Sequence, residues 1–118
     1  MNINVKMAKN ILKMVSALVF CSFSVHALAG YSQVGLISGL IAGADGVITI
    51  YTSTGLTSAP SCATANRFSL NASTTGGQST LSALITAYNI KQNVQVVGTG
   101  NCTIISDSED IAYVVYIN

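Results

Sequence analysis

The first 29 residues constrain this chain most, because they have the layout of an export signal and not of a fold. Lys6, Lys9 and Lys13 make a positive opening. Residues 14–25 form an uncharged, mostly apolar run, and Ala27-Leu28-Ala29 supplies the small residues that a signal peptidase reads. Cleavage is expected after Ala29, with a second acceptable site after Ala27. The apolar run falls short of the about 20 residues that cross a bilayer, so no membrane span is expected after cleavage. Cys21 follows the bulky Phe20, where a lipoprotein signal carries a small residue, and is expected to leave with the leader.

Cleavage leaves residues 30–118 as one domain of 89 residues, and its chemistry differs from that of the whole chain. Two cations remain, Arg67 and Lys91, against Asp45, Asp107, Glu109 and Asp110, so the formal charge moves from +1 to −2. Such a domain lacks the basic stripe that nucleic acid or anionic lipid requires. The only histidine, His26, lies in the leader. No Ser-His-Asp or Cys-His arrangement can then form, and no catalytic residue, cofactor or metal is expected. Asp107, Glu109 and Asp110 read as a solvated acidic turn, because the run SDSED lacks the glycine and length of a calcium loop. Two cysteines are left, Cys62 and Cys102. In an oxidising compartment they are expected to pair, closing a loop of about 40 residues worth roughly 4 kcal/mol.

Periodicity gives a mainly β domain with one helix. Residues 34–42 (VGLISGLIA) read as a first strand interrupted by glycines. Asp45-Gly46 is a turn signal, and residues 46–53 (GVITIYTS) alternate with the two-residue period of a strand. Residues 54–61 read as a loop, residues 67–71 as a short strand, and residues 72–78 as a polar loop. A helix is expected from Ser79 or Thr80 to Ile90, with Leu81, Leu84, Ile85 and Tyr88 on one apolar stripe. Residues 94–97 and 111–117 complete the set, with residues 102–105 continuing the former after a kink. Five strands with a helix between the third and fourth is the order of an OB-fold, a small Greek-key barrel. An immunoglobulin-like sandwich needs about seven short strands and seldom such a helix.

On its motifs the chain resembles small secreted bacterial proteins related to toxin B subunits, particularly the subtilase cytotoxin B-subunit type. The residues carrying the resemblance are Asp45-Gly46-Val47-Ile48-Thr49 opening a strand and Cys62 before a short strand. Ser79-Thr80-Leu81 at the helix start, Ala87-Tyr88 near its end, Val94-Gln95-Val96 and Cys102 complete it. The resemblance implies an OB-fold that assembles into a ring, a pentamer in those subunits, and binds cell-surface glycans. There a serine at the start of the first long strand helps to hold sialic acid. The matching position here is Asp45, whose carboxylate would repel a carboxylated sugar. Tyr88 matches an aromatic at the helix end, although its place on the apolar stripe also fits core packing.

The expectation is therefore a secreted or periplasmic, non-enzymatic binding domain that forms a homo-oligomer. A cell-surface glycan or a protein is its partner, with Asp45, Thr49, Tyr51 and Tyr88 as candidate ligand-binding residues. Among the five tyrosines, Tyr113 and Tyr116 lie three apart on a strand and point to opposite faces, so one is expected in the core or an interface and the other exposed. Two alternatives stand beside this reading. One is a fimbrial or surface-structure subunit that exchanges strands. The other is a periplasmic enzyme inhibitor.

Overall fold

The computed structural model describes residues 28–118. Most of the expected leader, with Lys6, Lys9, Lys13, Cys21 and His26, lies outside the described residues, while Leu28 and Ala29 are exposed. The elements are β1 (Tyr31–Ser32), β2 (Ile37–Ala42), β3 (Val47–Thr52), β4 (Leu56–Thr57), β5 (Phe68–Asn71), α1 (Thr75–Ile90), β6 (Val94–Gly98) and β7 (Glu109–Tyr116). The domain is mainly β with one helix. The strands form a curled seven-stranded sheet in the order β2-β3-β5-β7-β6-β1-β4.

Seven strands replace the five expected, and the helix follows the fifth strand in the chain, not the third. The two additional strands, β1 and β4, are two residues each and pair with one another, Tyr31 with Thr57 and Ser32 with Leu56. A strand so short has no period for the sequence to display.

The β2–β3 hairpin follows from its turn. Gly46 adopts φ 81°, a conformation open to glycine at no steric cost, and the Val47 amide donates to Asp45 Oδ1 at 3.1 Å. Alternation along β3 sends Ile48 and Ile50 inward, where they join Ile37, Phe68, Leu70, Val94, Val96 and Ile111. The helix adds Leu84 and Ala87 to this core.

The helix begins four residues before Ser79. Thr74 caps it, its Oγ1 accepting from the Gly77 amide at 3.0 Å. The glycine pair that suggested a loop has a packing role, because a Cβ on Gly77 would overlap the Asn71 carbonyl. Ser79 and Thr80, the expected caps, instead bond back to the carbonyls of Thr75 and Gly76. The buried face consists of Gly77, Leu84 and Ala87, so the expected stripe is rotated. Ile85 and Tyr88 are exposed.

Strand β7 ties the sheet together. Its first residues pair parallel with β5, Phe68 with Glu109 and Ser69 with Asp110. The remainder runs antiparallel to β6, with a bulge between Val97 and Gly98. The expected acidic turn is thus corrected: Glu109 and Asp110 are buried strand residues, and only Asp107 stays in the preceding turn. Tyr113 and Tyr116 are both exposed, so neither belongs to the core. Residues 102–105 form a loop and not a strand extension. The sheet curls far enough for Gly35, just before β2, to exchange backbone hydrogen bonds with Val94 of β6 at 3.0 and 2.8 Å. Among the described residues no helix is long and apolar enough to cross a membrane.

Candidate functional site

The outer face of β3, β5 and β7 gathers three of the six charged side chains of the described domain, Arg67, Asp107 and Asp110. Arg67 is set by the residue before it. Asn66 takes a left-handed φ of 50°, and its Oδ1 accepts from the Leu56 amide at 2.8 Å. The guanidinium then spreads over three partners: Nε donates to Ser108 Oγ at 2.8 Å, Nη1 to the Tyr51 hydroxyl at 3.1 Å, and Nη2 to Asp107 at 3.1 and 3.3 Å. The Ser108 hydroxyl in turn donates to Asp107 Oδ1 at 2.7 Å. Hydrogen bonds from Arg67 to Tyr51 and then Asp107 raise the guanidinium pKa. Those from Ser108 and then Arg67 hold the Asp107 carboxyl below the usual carboxylate range.

Tyr51 contributes an aromatic surface to the cluster. Its ring lies across Gly39 of β2, where a Cβ would come within 3.3 Å of Cδ2. The result is a half-buried phenol, a partly exposed guanidinium and a partly exposed carboxylate joined by hydrogen bonds. Such a group offers an apolar ring beside donors and acceptors of set direction.

Next to this cluster, Asp110 fastens the loop that carries Cys102. Its Oδ1 accepts from Ser69 Oγ at 3.2 Å and from the amides of Thr103 and Ile104 at 3.1 Å each. Oδ2 accepts from the Thr103 amide at 3.0 Å and from the Thr103 hydroxyl. Burial pushes this carboxyl up. The hydrogen bonds from Thr103, Ile104 and Ser69 outweigh burial and leave it below the usual range. The Cys62–Cys102 disulfide, half-buried, joins this loop to the segment leading into Arg67. A disulfide fits an oxidising, extracytoplasmic compartment.

The four candidate ligand residues do not form one site. Tyr51 belongs to the Arg67 cluster. Thr49 shares its face but is buried opposite Ser69, which leaves little of it to touch a ligand. Asp45 sits in the exposed β2–β3 turn, where its carboxylate serves the turn itself. Tyr88 lies on α1, which packs on the opposite, core side of the sheet, and carries Lys91 Nζ 4.8 Å from its ring centroid. Arg67, Asp107 and Ser108 escaped the sequence reading as site residues. One signal was there: Arg67 is one of only two cations in the domain, and it directly precedes a strand.

A second concavity opens at the first turn of α1. It holds about 260 Å³ and is lined by Asn71, Thr74, Gly77, Thr80, Ile104 and Ile111, among others. Its groups are neutral hydrogen-bonding and apolar. Among the described residues no three His, Cys, Asp or Glu side chains come together as a metal site.

No known family matches this chain. Comparisons with family models, curated proteins and solved structures each returned no match. The chemistry of the site therefore rests on its own geometry.

Proposed function

We propose that this chain is an extracytoplasmic, non-enzymatic binding domain of OB-fold type that holds a glycan on the Arg67 face and self-associates. The single observation that carries the reading is the Tyr51–Arg67–Ser108–Asp107 network. It places a fixed guanidinium–carboxylate pair beside an aromatic ring on the face of β3 and β5. If β2, β3, β5, β6 and β7 are taken as the five barrel strands, that is the face on which OB-folds bind oligosaccharides, flanked by the loop before the last strand. The parallel β5–β7 pairing and the Gly35–Val94 bridge support this assignment. The resemblance to subtilase-type B subunits agrees with it. Self-association is supported by β2, which pairs on one side only and exposes Ile41. An edge without lysine or proline is open to another strand.

A glycan array probed with the exported protein tests the reading, alongside an Arg67→Gln variant. The expected result is binding to a defined glycan class that the variant loses by about tenfold or more, since charge-assisted hydrogen bonds are roughly twice as strong as neutral ones. Equal binding by the two proteins, or a blank array, refutes it. The mass of the native particle tests assembly, with a discrete ring expected.

A further inference from the structure

Glu109 is fully buried, and its two carboxylate oxygens fare differently. Oε1 accepts from the backbone amides of Gly30 and Gly100, each at 2.8 Å. Oε2 has no hydrogen-bond partner among the described residues. A buried carboxylate oxygen with nothing to bond is costly.

The space around that carboxylate is kept by glycines. A Cβ on Gly98 would overlap the carboxylate carbon and Oε1, and one on Gly30 would overlap Oε2. Gly30 is itself buried, with Ala59 closing over it: its Cβ would stand 2.9 Å from the Ala59 Cα. The Gly30 carbonyl accepts from the Gly98 amide at 2.8 Å. Immediately upstream, Leu28 and Ala29 are exposed. Among the described residues Gly30 is thus the first buried one, and it lies against the one buried side-chain oxygen without a hydrogen-bond partner.

We infer that Glu109 is the buried acceptor for the α-ammonium created when the leader is cut between Ala29 and Gly30. The inference rests on reading residues 1–29 as a cleaved leader. In the uncut chain the Gly30 nitrogen has one hydrogen, which Oε1 takes. Hydrolysis of the Ala29–Gly30 bond gives the Ala29 carboxylate and a Gly30 ammonium with three hydrogens. One keeps the bond to Oε1 and a second is free for Oε2. The same event supplies a positive charge to a buried negative one. Only glycine fits at the new terminus, because any side chain would occupy the volume of Oε2. Processing would therefore complete the interior of the domain as well as free it from the leader.

The test uses the full chain, exported with its own leader, and three measurements. Intact mass of the exported protein identifies the first residue, expected to be Gly30. A chain with one extra serine between Ala29 and Gly30 retains an amide at position 30. It is expected to melt about 5 °C or more below the wild type, the size of shift one buried interaction makes in a domain of this length. In a Glu109→Gln background that difference should vanish. Where Glu109→Gln does not fold, amine labelling of the wild type decides: the Gly30 amine should react at least about tenfold more slowly in the folded than in the unfolded protein, while Lys91 labels readily. A Gly30 start with equal melting of the two chains and free labelling overturns the inference and leaves the leader reading intact. So does a start at Leu28. A start at Met1 overturns both.

Discussion

Removing the Asp110 carboxylate should cost this domain a large part of its stability, and the structure allows the loss to be estimated. The carboxylate takes up the Thr103 and Ile104 amides, the Thr103 hydroxyl and the Ser69 hydroxyl. Ser69 is fully buried, and its only other acceptor is the Glu109 carbonyl at 3.5 Å. In Asp110→Ala that hydroxyl is left nearly unsatisfied, at about 1–3 kcal/mol. The two amides lie on a partly exposed loop, where water replaces the lost bonds at lower cost. A total of about 3 kcal/mol follows, against the roughly 5–15 kcal/mol of a whole domain. Asp110→Asn keeps the shape and one acceptor oxygen, so about half that loss is expected. Urea unfolding of the exported protein reads both, with midpoint drops of about 3 M and about 1.5 M at an m-value near 1 kcal/mol/M. The pH dependence provides a second check. The folded-state pKa of Asp110 lies below its unfolded value, so its contribution is complete above the unfolded value and is lost as pH falls through the folded one. Wild-type stability should therefore decline from about pH 4 downward, and Asp110→Asn should decline less steeply. A midpoint for Asp110→Ala within about 0.5 M of wild type, or an unchanged acid slope in Asp110→Asn, would show that the carboxylate does not anchor the loop.

Further tests address the framework and the helix. Cys62→Ser with Cys102→Ser should lower stability by about 4 kcal/mol, as expected for opening a loop of this length, and reduction of the wild type should give the same midpoint in urea. The two helix glycines should respond in opposite directions to alanine. Nothing lies within 4 Å of a Cβ on Gly76, so Gly76→Ala should stabilise by about 0.5–1 kcal/mol. Gly77→Ala, driven into the Asn71 carbonyl, should cost about 2 kcal/mol. Thermal melting of the pair separates the effects. Arg67→Gln should move the melting temperature by less than about 4 °C, since partly exposed ion pairs add little.

How much of this was legible in the sequence depends on how local each signal is. The β3 alternation, the Asp45-Gly46 turn and the pairing of Cys62 with Cys102 are written in neighbouring residues or in a simple count, and each takes its expected place. Periodicity locates the helix but starts it four or five residues late, at Ser79 or Thr80 instead of Thr75, because Gly76 and Gly77 have poor helix propensity. The close approach of the Asn71 carbonyl explains why a glycine stands at position 77. Spacing puts Tyr88 on the apolar stripe, yet the residues that the helix buries are Gly77, Leu84 and Ala87, and Tyr88 is exposed. The Arg67 cluster draws on residues 16 to 41 positions apart, and no short motif carries such a contact.

The acidic run at residues 106–110 poses the sharpest contest between the two kinds of signal. Three carboxylates within four positions ordinarily seek water, and on that view Glu109 and Asp110 are interchangeable. The structure makes them opposites. They are successive residues of β7, so alternation turns Glu109 to the core and Asp110 to the outer face. Their lengths suit their partners: Glu109 reaches the Gly30 and Gly100 amides, and Asp110 reaches those of Thr103 and Ile104. Exchanging them, Glu109→Asp with Asp110→Glu, changes neither composition nor net charge. The shorter inward side chain would fall short of its amides and leave a buried carboxylate without donors, while the longer outward one would overreach its loop. A loss of about 3–5 kcal/mol is expected, enough to abolish the cooperative melt of a marginal domain. If the exchanged protein unfolds in urea with a midpoint close to that of wild type, the two carboxylates are surface charges, and the core built around Glu109 is wrong.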